Sequence, residues 1–137
     1  MPPLSRFTLR VAVVYLIAGA TLGSLALIGK AIPAYSQWIG FFPLHIVWMV
    51  IGGFVQFTLG TAFWILPKFS DRPSFYGNVP AMVLSIVAIN GGIFVYTLNF
   101  VFSPGGEVAL AARLLWLMGA IGAGIHLLPR IKPFQRK

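Results

Sequence analysis

The chain has 137 residues, of which 58% are hydrophobic and only 9% charged, and its mean hydropathy is +0.90. This composition excludes an ordinary soluble domain and points to an all-α integral membrane protein in a single domain spanning residues 1–137. The net charge of +8 fits basic loops on the cytoplasmic side of a bilayer better than a nucleic-acid partner, because no polar face is left to hold a duplex. Without cysteine, the chain has no disulfides, thiolate metal sites, iron–sulfur clusters or covalent haem attachment. Asp71 and Glu107 are its only carboxylate side chains, so no hydrolase or proton-pump constellation is available and no catalytic residue is assigned.

Residues 1–10 form a short basic terminus with Arg6 and Arg10, and an apolar run over about 11–29 follows, bounded by Lys30. The run is longer than a signal-peptide core and no small-x-small cleavage site follows it, so it reads as a retained first span. Ala18, Gly19, Ala20, Gly23 and Ser24 give this span a small-residue middle that a neighbouring helix can approach closely. The connection over 31–42 carries Pro33, Trp38, Phe41 and Phe42, a composition typical of an interfacial belt.

Pro43 and Pro67 bracket the second span, 44–66, which is long enough to cross a hydrocarbon core of ~30 Å. At about 100° per residue, His45, Met49, Gly52, Gln56, Leu59 and Phe63 fall on one stripe, with Gly60 beside it. The stripe carries one of two histidines, the span's only amide side chain and its closest-approach glycines, so a site is expected here. Residues 68–78 then read as a polar turn with Asp71, Arg72, Pro73 and Gly77. The third span, 79–102, contains Ser85, Asn90, Thr97 and Asn99, polar residues suited to hydrogen bonds between helices. Ser103-Pro104-Gly105-Gly106 is a turn, and the fourth span, 108–128, carries Arg113 and His126 before Pro129, Arg130 and a basic tail.

Lys and Arg set the expected topology. Arg6, Arg10, Lys68, Arg72, Arg130, Lys132, Arg136 and Lys137 share one side of a four-transmembrane-helix bundle, against Lys30 and Arg113 on the other, which places both termini in the cytoplasm. His45 then lies near the outer face and His126 near the inner one, ~27 Å apart in depth. The two cannot ligate one haem iron within a single chain.

Leu44-His45-x-x-Trp48, followed by Gly52-Gly53, Gly60-Thr61-Ala62 and Trp64-Ile65-Leu66-Pro67, resembles the second transmembrane helix of the large subunit of haem–copper oxidases, above all the nitric oxide reductase branch. In that family the helix begins on the outer side with a histidine that is an axial ligand of the low-spin haem, and His45 matches that position. The resemblance implies a short, four-helix relative with haem b on His45, taking part in electron transport. The remaining haem and copper ligands of the family lie in later helices that this chain lacks, so reduction of oxygen or nitric oxide by this polypeptide alone is not expected. A second axial ligand has to come from elsewhere. Rotation about an axis along the membrane normal preserves depth, so His45 from two protomers of a dimer or trimer can face one haem. Gly52 and Gly60 would leave room for the porphyrin face, and Arg113 would pair with a propionate.

Each of these residues also has a simpler role. A histidine at a helix end serves as an interfacial hydrogen-bonding group, Arg113 as a cation snorkelling to the surface, Met49 as packing and Gln56 as a partner for a neighbouring helix. The alternative function is therefore a cofactor-free structural or accessory subunit of a larger respiratory complex, in either case in a bacterial inner (plasma) membrane. A transporter would need inverted repeats or broken helices carrying charge at mid-bilayer, and neither is visible.

Overall fold

The computed structural model describes residues 1–69, 76–102 and 105–131, and the fold is all-helical. Four helices are long and apolar enough to cross a membrane, Pro3–Ala31, Pro33–Ile65, Val79–Phe102 and Gly106–Arg130, called here the first to fourth spans. Asp71, Arg72 and Pro73, the turn residues Ser103 and Pro104, and the basic tail over 132–137 lie outside the described residues.

The first span starts at Pro3, well before the expected residue 11. Proline suits a first turn, where its missing N–H would have had no partner. The extra turns are anchored from inside: Ser5 and Thr8 are buried, and the Ser5 hydroxyl donates to the Gly60 carbonyl at 2.6 Å, while Arg6 and Arg10 stay exposed. At the other end Ile32 is extended, and Pro33 opens a tight 3-10 coil, Pro33–Phe41, in which Tyr35 stacks on Trp38 at 4.6 Å. The expected aromatic connection is thus a coil that runs directly into the second span.

The second span has three parts: α-helical Phe42–Ile46, a widened stretch of π-type turns over Val47–Val55, and α-helical Gln56–Ile65. It stops at Leu66, whose extended backbone (ψ 148°) is what a following proline favours. The third span begins where the Asn78 side chain accepts the Ala81 N–H at 3.1 Å, a capping contact that satisfies one of the unpaired donors of a helix start.

The spans pack as two hairpins. Between the third and fourth, Gly92 lies under Trp116 and Gly119 under Ile89, and the Ser85 hydroxyl donates to the Gly119 carbonyl at 2.6 Å. Between the first and second, Gly52 faces Tyr15 and Gly53 faces Leu16. Small residues at crossings bring the backbones close enough for van der Waals contact to hold apolar helices together. The second span joins the hairpins: its Val47, Leu59 and Phe63 share one core with Met82, Ile86, Ile89 and Ile93 of the third. Gln56 and Asn90 exchange two hydrogen bonds at 3.2 and 3.0 Å across this seam, and the Trp48 indole N–H donates to the Thr97 hydroxyl at 3.1 Å. The outward faces are apolar, with Ile17, Leu27, Val87, Phe94 and Leu117 all exposed.

Candidate functional site

Pro43 sits in the first turn of the second span and His45 follows two residues later, so the imidazole leaves the helix toward the first span. Its Nδ1 lies 2.7 Å from the Gly19 carbonyl oxygen. A carbonyl only accepts, so Nδ1 carries the hydrogen, and in the neutral ring the lone pair is on Nε2. The ring lies in a notch made by the first span: a Cβ on Gly23 would stand 2.6 Å from its Cε1. One turn further along, Met49 lies against Gly19, where a Cβ would be 2.9 Å from its Cγ. Gly19 and Gly23, four residues apart, thus present one flat face that receives His45 and Met49.

The Nε2 atom of His45 has no hydrogen-bond partner among the described residues and is not shut away from the surface. The ring borders a groove of about 640 Å³, formed by Ala20, Gly23 and Leu27 of the first span, Ile39 of the 3-10 coil, and Phe42. That size falls within the ~300–1,000 Å³ usual for small-molecule and cofactor sites. Lys30, at the end of the first span, contributes the groove's cation. An imidazole whose far nitrogen is fixed by a backbone carbonyl has the arrangement found at metal-ligating histidines, where that hydrogen bond sets the tautomer and raises the basicity of the ligating nitrogen.

The other residues expected at the site lie elsewhere. Gly52 and Gly60 do not open onto the groove: a Cβ at Gly52 would lie 2.5 Å from the Tyr15 ring and one at Gly60 would lie 3.1 Å from Leu9, so the first span already fills the space proposed for a porphyrin face. Arg113 is exposed on the fourth span and does not border the groove. Lys30 is the charged residue that borders the groove. The sequence showed Lys30 only as the boundary of an apolar run, and nothing in that run signals that the chain turns back to bring Lys30 and His45 to one groove.

Comparison with protein-family models, curated proteins and solved structures finds no match to this chain. Among the described residues no three His, Cys, Asp or Glu side chains gather as a metal-binding group.

A second polar cluster lies at the opposite end of the second span. His126, expected at an interface, is buried and stacks on Phe63 at 5.1 Å. Phe63 is eighteen residues beyond His45 on the same span, roughly 27 Å along the axis, so the two histidines occupy opposite ends of the bundle. The Nδ1 of His126 donates to the Asn78 carbonyl at 2.9 Å, and its Nε2 accepts from the Arg130 guanidinium at 3.0 Å. Arg130, wholly buried, also donates to the carbonyls of Phe63 (3.1 Å), Leu66 (2.7 Å) and Pro67 (3.2 Å). These carbonyls end the second span, where helical partners run out and the helix dipole is negative, so the cation serves as its C-terminal cap. This cluster satisfies its own polar groups and is structural.

Proposed function

We propose that the chain is a four-span membrane protein that binds haem b through His45 and serves in electron transfer as an oligomer. The carrying observation is the His45–Gly19 hydrogen bond, which turns Nε2 of the ring toward the edge of an apolar groove without a hydrogen-bond partner among the described residues. Lys30 would meet a carboxylate of the bound group, and the apolar wall of Leu27, Ile39 and Phe42 would cover its ring. When bound, the haem would supply one-electron chemistry, while this chain would hold it through the His45 Nε2, orient that nitrogen and supply a dry surrounding. The fifteen-residue separation of Lys30 from His45 in the chain is bridged by the Pro33–Phe41 coil. His45 of another copy, which rotation about the membrane normal would keep at equal depth, would hold the group from its other side.

The four apolar spans and their apolar outward faces support insertion, and the excess of basic residues on one side supports both termini facing the cytoplasm of a bacterium. The test is an optical spectrum of detergent-purified protein, first oxidised and then reduced with dithionite. A Soret band that His45→Ala abolishes without loss of the assembled protein is the expected result. Colourless protein from haem-sufficient cells overturns the proposal.

A second reading is favoured by the fit of the ring into the Gly19–Gly23 notch, which by itself is good helix packing. On that reading the chain is a cofactor-free accessory subunit of a larger respiratory complex, and His45 bolts the first two spans together. Copurification of the colourless protein with a large oxidase would establish it.

A further inference from the structure

A second groove lies on the other edge of the first span, away from His45. It holds about 500 Å³ and is bordered by Phe7, Arg10, Val11, Val14, Ala18 and, from the second span, Trp48, with Tyr15 at its floor. Arg10 is its only charged residue, and has no ion-pair or hydrogen-bond partner among the described residues. Tyr15 and Trp48 meet edge to face at 5.8 Å, giving the floor a rigid aromatic surface.

The position of Arg10 along the helix says what this groove fits. Twenty residues separate Arg10 from Lys30 in one continuous helix, which is ~30 Å, the thickness of a bilayer's hydrocarbon core. In an inserted bundle the two cations would therefore stand at the two headgroup boundaries. From Arg10 the groove runs eight residues inward to Ala18, or ~12 Å, most of the ~15 Å depth of one leaflet. It is cationic at the headgroup level and apolar from there toward the midplane, the same polarity as a phospholipid.

We propose that this groove is a binding site for an anionic phospholipid of the leaflet on the N-terminal side, with the headgroup phosphate on Arg10 and an acyl chain along Val11, Val14 and Ala18 against Trp48. The site rests on insertion of the spans in a bilayer and not on haem at His45. Retention of the full chain in carbonate-washed membranes, measured first, reports on insertion separately.

The test is native mass spectrometry of the full chain released from detergent containing equimolar phosphatidylglycerol and phosphatidylcholine. The wild type retains phosphatidylglycerol in preference. An arginine near an anionic surface contributes ~1 kcal/mol, so Arg10→Gln is expected to lower that preference about fivefold. Val14→Trp, at an exposed position, fills the groove and keeps the charge, and is expected to remove retention of phosphatidylglycerol altogether. Equal retention of the two lipids by the wild type overturns the proposal, as does unchanged preference in Arg10→Gln or unchanged retention in Val14→Trp. Inorganic phosphate, if it displaces the lipid, shows that the anion alone is recognised and overturns the acyl-chain half of the site.

Discussion

Replacing Arg130 tests how the two hairpins are held together. Arg130→Met keeps most of the side-chain volume and removes every donor, leaving the carbonyls of Phe63 and Leu66 without their guanidinium partner in a buried place. A hydrogen bond to a charged group contributes ~1.5–3 kcal/mol in water-soluble proteins, while polar contacts between membrane helices average nearer ~0.6 kcal/mol. Four such contacts, together with a guanidinium 5.7 Å from the Phe63 ring centre and 5.9 Å from that of Tyr76, place the expected loss at about 3 kcal/mol. Arg130→Lys keeps the charge but cannot fork to four acceptors, and is expected to lose about half as much. Reversible unfolding of the purified protein in mixed micelles, followed by titrating dodecyl sulfate, measures both. A value for Arg130→Met within about 0.5 kcal/mol of wild type would refute the capping role.

Three further outcomes follow from the same packing. In a double-mutant cycle, Gln56→Leu and Asn90→Leu should each destabilise, and the double variant should cost less than their sum by about 1 kcal/mol, since each single change strands the other amide; strict additivity in micelle unfolding would count against the seam. Gly92→Ala places a methyl 2.5 Å from the Trp116 ring and 2.9 Å from the Ala112 carbonyl, and a loss of about 1–3 kcal/mol in the same assay is expected, with the Trp116 fluorescence changed. The chain has no cysteine, so single introduced thiols report sidedness directly: Ser36→Cys should react with an impermeant maleimide on intact cells and Lys68→Cys only after permeabilisation, and the reverse pattern would invert the proposed orientation.

The number and order of the spans were legible because apolar runs of bilayer length are an unambiguous signal and prolines or glycines close each one. Asn90, which exchanges hydrogen bonds with Gln56, and Thr97, which accepts from Trp48, were legible as helix-to-helix contacts for a similar reason: polar groups within apolar helices have few other partners. The start of the first span was missed. Arg6 and Arg10 made residues 1–10 look like a solvated terminus, whereas Ser5 and Thr8 on the opposite face were already committed to packing. Arg130 was read as one more basic end residue. Its signal, a histidine four residues before it in His126-Leu127-Leu128-Pro129-Arg130, is weak by itself, and the carbonyls that it caps belong to a span more than sixty positions earlier in the chain. Gly52 and Gly60 were correctly marked as close-approach positions, but a sequence does not say that a neighbouring helix, and not a ligand, comes close.

The widened turns over Val47–Val55 make the count of residues there as consequential as their identity. Bonds that reach five residues ahead accommodate one more residue per loop than an α-helix does, and this sets how far His45 is rotated from Gln56 about the span. Loss of one residue from that stretch would let an ordinary helix form with the turns on either side near their present phase, so His45 would still face the first span while the Gln56–Asn90 seam stayed in place. A histidine eleven positions ahead of a buried glutamine across widened turns, or ten ahead on an ordinary helix, would therefore face the first span in the same way.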